Sequence, residues 1–146
     1  MASPVASHEL DRRSTTPRHR FPLVVAIVGG VGFAVLGVWA IVDPRSFFDA
    51  MATFEPYNQH FLQDIGAFQI GLGMVLLLAS MPNRGDGLAI ALLGVGVGAA
   101  LHTVSHIVGH DLGGTPETDI PFFAMLAVLL LTAGGFRWRY ERGSTR

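Results

Sequence analysis

Four long apolar runs, separated by short polar stretches, set the layout of this chain. They cover residues 21–42, 60–81, 87–108 and 120–136. Each falls within the roughly 17–25 residues that a helix needs to cross a bilayer. In lipid every backbone N–H and C=O must be satisfied within the structure, which favours helices for such runs. The expected fold is therefore all-α: an integral membrane four-helix bundle.

The punctuation between the runs agrees. Asp43-Pro44 ends the first and Pro82-Asn83 ends the second, since proline cannot continue a helix in which its missing N–H is needed. The turn around Asn83–Asp86 is short, so the second and third spans should be antiparallel neighbours. Gly and turn residues from Gly109 to Asp119 form the last loop. The fourth span then starts near Ile120, with Pro121 tolerated in its first turn. Between Asp43 and Gln59, Phe47, Phe48, Met51, Phe54 and Tyr57 give an amphipathic pattern. A short interfacial helix is expected there, with its aromatics at the headgroup level.

Residues 1–20 are polar and carry Arg12, Arg13, Arg18 and Arg20. They read as a disordered basic leader. A signal peptide would share the basic-then-apolar order, but the apolar run is too long and no small-residue cleavage pattern follows it before Asp43. A retained first helix is the expectation. Arginine is concentrated in this leader, in the 83–86 turn and after residue 136, whereas the other two loops carry only Arg45. The positive-inside rule then gives N-terminus in and C-terminus in, with residues 1–20 and 141–146 cytoplasmic. The plasma membrane is the expected location.

Composition sharpens this picture in three respects. Of the 146 residues, 50% are hydrophobic and 14% charged, against about a quarter charged in soluble domains. The absence of cysteine removes disulfides, thiolate metal sites and cysteine nucleophiles. Net charge is −1, and no basic stripe with interleaved aromatics points to nucleic acid. The glycines of the first three spans read as packing seams.

The chemistry lies in the outer halves of spans two and three. Gly94, Gly98, His102, His106 and His110 follow one another at intervals of four, which places them in one row on a helix, ending beside Asp111. The glycines of that row should allow close helix contact. On the second span His60 and Asp64 share a face. Antiparallel packing puts His60 level with His110, and Asp64 level with His106, about 6 Å deeper. Gln69 approaches the level of His102. Histidine within a membrane span is expensive without a partner and is a functional candidate for that reason. Neutral imidazole suits Zn, Cu or Fe, and a carboxylate adds an oxygen ligand. His102, His106 and Asp64 are the expected metal ligands with an open position, and His60, His110 or Asp111 complete or orient the set. A b-haem held by one His from each of two helices fits less well, because His60 sits at the very end of its span. The bland alternative is a structural His106–Asp64 pair. Asp119 and Glu117 read as solvated loop charges. Thr103 and Ser105 are expected to bond to their own helix backbone.

The layout resembles the DoxX-like group of small four-span membrane proteins. The likeness rests on a first span ending at Asp43-Pro44, the aromatic segment SFFDAMATF, and a second span reading DIGAFQIGLGMVLLLAS. It implies a four-helix membrane bundle and, for some members, links to quinone-coupled redox complexes. The histidine row matches no motif of that group, so no site residue is carried over.

The functional expectation is a small membrane protein with an outward-facing, metal-binding His/Asp cluster, with a redox role as one form of it. A non-enzymatic accessory or scaffold subunit, packing through glycine seams, is the alternative, and an oligomeric proton-coupled carrier a further one. The expected partners are the lipid bilayer and either further copies of the chain or a larger membrane complex.

Overall fold

The computed structural model describes residues 20–82 and 87–144. The basic leader up to residue 19, the 83–86 turn and the last two residues lie outside them. Five helices account for nearly all of the described chain: α1 (Arg20–Val42), α2 (Pro44–Met51), α3 (Gln59–Ala79), α4 (Gly87–Val108) and α5 (Pro116–Ser144). α1, α3, α4 and α5 are long and apolar enough to cross a membrane.

Local chemistry sets the ends. Asp43 caps α2 by accepting from the Ser46 amide, and Pro44 takes the first helical position. Proline there loses only an amide that would have had no partner in the helix. Asn58 caps α3 through its bond from the Phe61 amide. At the other end the Ser80 hydroxyl donates to the Leu77 carbonyl, and α3 stops at Ala79, two residues short of the expected Met81. α5 begins at Pro116 instead of near Ile120. Pro116 takes its first position, as Pro44 does in α2. Pro121 consequently lies past the first turn, where its missing N–H bears on the Glu117 carbonyl near the helix end. With 29 residues α5 is about 43 Å long, more than a hydrocarbon core requires. Its basic end carries the Arg137–Glu141 pair and Arg142 over the Trp138 ring.

Packing divides the molecule into two antiparallel pairs. α1 lies along α3 and α4 along α5, while α3 and α4 touch sparsely. Glycines explain the first pair. A Cβ on Gly66 would stand 2.7 Å from the Gly37 carbonyl oxygen, and one on Gly73 would stand 2.6 Å from that of Gly30. The two contacts are seven residues apart on each helix, two turns, so the backbones touch twice along one stripe. α4 and α5 meet similarly at Gly96 against Leu131 and at Leu93 against Gly134. The pairs join through a shared core including Ala26, Leu76, Leu92, Val95 and Leu130. At the end nearer α2, Phe47 and Phe48 are buried with Ala40 and Leu62. Two of the aromatics expected at the headgroups thus pack inward, and Trp39 and Tyr57 meet them edge to face.

The glycines of the histidine row behave differently. Gly94 and Gly98 are exposed and have nothing within 4 Å of an added Cβ, so the expected close contact is not made there. The close approach of α4 is at Gly96, on another face. Gly96→Leu should therefore lower bundle stability by about 2 kcal/mol through overpacking, whereas Gly98→Leu should leave it within about 0.5 kcal/mol. Thermal unfolding in one detergent compares the two, and equal losses would contradict this packing.

Candidate functional site

α4 carries His102 and His106 one turn apart near the end that meets the α2 loop. Their Nε2 atoms face each other at 3.2 Å. Phe123 of α5 underlies both rings, stacked on His106 at 5.1 Å and edge to face with His102 at 4.3 Å. Phe54, from the loop after α2, meets the other side of His106 with ring centroids 6.0 Å apart. The pair on α4 is therefore held in an aromatic frame contributed by two other segments.

Asp119 completes the arrangement. Its Oδ2 lies 3.8 Å from His106 Nδ1, and both side chains are largely shielded, 18% and 13% exposed. That separation is too long for a direct hydrogen bond. In surroundings of low polarity the carboxylate charge still acts across it, and it favours the imidazole proton on Nδ1. The Nε2 lone pair of His106 then faces His102. Asp119 is itself fixed at the start of α5, where its two oxygens accept from the amide and the hydroxyl of Thr115. The expectation of a solvated loop charge is corrected for Asp119: α5 begins before it and turns it toward α4. Glu117 is exposed, as expected, but in the first turn of α5 and not in the loop. The overlooked signal was Thr115-Pro116, a helix start with proline at its first position, which draws Asp119 into the helix.

The other expected residues stand apart. His60 is 3.5 Å from Asp64 on α3, and both side chains are more than half exposed. Among the described residues no ion pair joins Asp64 to His102 or His106, and the sparse α3–α4 seam leaves Asp119 in the place foreseen for it. His110 bonds the Ile107 carbonyl and pairs with Asp111 at 3.1 Å, an exposed local contact. Gln69 shares the inward face of α3 with Leu62 and Leu76, seven residues away on either side, and its amide oxygen is buried without a partner. Thr103 bonds the Ala99 carbonyl, as foreseen. Among the described residues no three His, Asp or Glu side chains converge as a complete metal-ligand set.

The His102–His106 pair does fit a two-ligand chelate. Two imidazole nitrogens bound tetrahedrally to Zn at about 2.05 Å would stand about 3.3 Å apart, close to the 3.2 Å found. A carboxylate behind the second nitrogen is the usual orienting partner of a ligating histidine. The same geometry argues against a haem held by both residues, since axial ligands must approach from opposite faces of the porphyrin. Comparison with known proteins lends no name to this arrangement: no family pattern, no curated protein and no solved structure matches the chain.

Proposed function

We propose that this chain is a small multi-pass membrane protein whose His102–His106 pair binds a transition-metal ion, with Asp119 orienting His106. The reading is carried by one observation: two Nε2 atoms at chelating distance, one of them backed by a shielded carboxylate. Zn, Cu or Fe would suit the donors. The remaining coordination positions would be left to water or substrate, the mark of a reactive site rather than a purely structural one. In this reading both termini are cytoplasmic, the histidine end faces outward, and the plasma membrane is the location. The DoxX-like likeness belongs to the same proposal. His60, Asp64 and His110 serve as peripheral groups, away from the ion.

The line Asp119–His106–His102 favours a second reading, proton handling. A proton added to His106 would lie between a carboxylate and a neutral imidazole, and could pass inward along Nε2 to His102. A carrier would use such a path. The 3.2 Å separation suits a hydrogen bond along that path as well as a chelate, and zinc binding decides between the two.

Zinc titration by calorimetry, with the full chain in nanodiscs, tests it. One equivalent should bind. Asp119→Asn should weaken binding about 10–100-fold, the usual effect of losing an orienting partner, while helicity is unchanged. Asp64→Asn should have no effect. Equal affinities for the Asp119 variant and the parent chain would remove Asp119 from the site.

A further inference from the structure

We infer that the arginine end of the bundle holds an anionic phospholipid, its phosphate against Arg139 and Arg142 of α5 and beside the Trp138 ring. This rests on the reading that the four long helices cross a membrane, and not on the metal centre at the opposite end.

The two ends of the bundle differ sharply in charge. Among the described residues the arginine end carries Arg20, Arg137, Arg139 and Arg142 against one carboxylate, Glu141. The histidine end carries seven carboxylates, from Asp43 to Asp119, against Arg45 alone. An anionic head group is therefore attracted to one leaflet only. All ten basic residues of the chain are arginine. The planar guanidinium fork can hold two phosphate oxygens at once, whereas a lysine ammonium acts as a point charge.

At the end of α5 the charges fall on two faces. Arg137 and Glu141 continue the inward row of Leu130 and Gly134 and pair with each other, their side chains 26% and 15% exposed. Arg139 and Arg142 are exposed and stand three residues apart, which makes them neighbours on the helix surface. Like charges so placed repel, and an anion shared between them reverses the sign. Arg139 makes no ion pair among the described residues.

Depth selects a lipid as the source of that anion. Phe21 at the start of α1 meets Phe136 edge to face at 6.2 Å, where the apolar parts of both helices end. Arg139 is about 4.5 Å and Arg142 about 9 Å beyond Phe136 along the axis. The headgroup layer on each side of a bilayer is about 5–8 Å thick. Helical side chains lean toward the N-terminus, which for α5 is back toward the hydrocarbon. Arg142 does so: its guanidinium carbon lies 4.8 Å from the centre of the Trp138 ring, one turn closer to the membrane. Both guanidinium groups are thereby brought to the phosphate level, and the indole holds one of them in place before a lipid arrives. Arg20, beside Phe21 on α1, adds a further charge at this level.

Native mass spectrometry tests the site, with the full chain released from nanodiscs of phosphatidylglycerol and phosphatidylcholine in equal amounts and with equal acyl chains. One phosphatidylglycerol should be retained with a preference of about 25-fold, about fivefold for each of the two arginines. Arg139→Gln and Arg142→Gln should each cut that preference about fivefold. Trp138→Leu keeps every charge and should cut it about threefold, through loss of the stacked guanidinium. Arg45→Gln, at the opposite end, should leave it unchanged. Equal retention of the two lipids would overturn the inference, as would an effect of Arg45→Gln equal to that of Arg139→Gln. An unchanged preference in Trp138→Leu would also overturn it, by reducing the site to diffuse charge. Displacement of the lipid by inorganic phosphate would assign the arginines to a soluble anion instead. Failure of the chain to enter nanodiscs of either lipid would sink the membrane reading itself, whereas entry without preference would sink this inference alone.

Discussion

Gly37→Leu should cost the bundle about 3 kcal/mol or more and separate α1 from α3. A Cβ at this position would lie 2.5 Å from the Gly66 carbonyl oxygen and 2.9 Å from the Ile70 amide nitrogen. These are backbone atoms of a helix, so no rotamer change relieves the clash. Either the helices move apart or the local hydrogen-bond ladder bends. Overpacking where side chains can adjust already costs about 1–3 kcal/mol. Here separation would also open the contact at Gly30 and Gly73, two turns away on the same stripe. Within a bilayer there is little hydrophobic gain to hold the pair together once close packing is lost, since lipid tails are as apolar as leucine. The matched control is Gly32→Leu. Gly32 lies in the same helix, exposed, with nothing within 4 Å of an added Cβ. Unfolding of both variants in mixed detergent micelles, followed by circular dichroism, provides the comparison. Equal midpoints for Gly32→Leu and Gly37→Leu would show that the glycine stripe does not hold α1 to α3.

That contrast also shows what the pattern of residues reveals and what it conceals. The four apolar runs follow from hydropathy alone, because a membrane-length helix is a property of a continuous segment. Asp43-Pro44 marked the end of α1 for the same local reason. Which glycine packs is not local. Gly30 and Gly32 are two positions apart in one helix, yet one meets the Gly73 backbone and the other meets nothing. Their difference depends on where α3 lies. The candidate site divides in the same way. Spacing by four was enough to bring His102 and His106 together, since a helix does that without help. The carboxylate beside them depended on which helices pair. Reading the short 83–86 turn as a sign of tight neighbours favoured Asp64 on α3, whereas α4 packs mainly on α5 and the nearby carboxylate is Asp119. Chain proximity dictated that the two helices be adjacent and antiparallel, but not that they share most surface. Phe54 was foreseen as an interfacial aromatic. Its seat on Gly113–Gly114 joins two loops 59 residues apart in sequence and left no mark in either one alone.

His106→Ala should abolish zinc binding, lowering affinity more than about 100-fold, while the fold persists. The bound stands on a comparison: loss of an outer partner alone costs about 10–100-fold, and this change removes a ligand and leaves Asp119 with nothing to orient. Of the histidines in the described residues, His106 alone has a second imidazole nitrogen at 3.2 Å and a shielded carboxylate behind the other ring nitrogen. His102→Ala should be nearly as damaging, because it leaves a single imidazole. His60→Ala and His110→Ala should change affinity less than about twofold, the order of an exposed side-chain contact, since their pairs with Asp64 and Asp111 are local and solvent-facing. The fold should survive His106→Ala for a reason visible in the packing. The core runs through Leu76, Leu92 and Leu130, whereas the His106 ring packs on Phe123 and Phe54 near the bundle's edge. A loss of about 1 kcal/mol from those aromatic contacts is expected, within reach of a thermal scan on the protein used for calorimetry. A four-variant series read this way separates ligands from bystanders. If His60→Ala or His110→Ala weakened zinc as much as His106→Ala, the ion would have to sit among the exposed pairs and not between the two Nε2 atoms. If all four variants bound zinc like the parent chain, the ion would bind elsewhere, and the pH dependence of transport in vesicles would be the readout for the pair as a proton path.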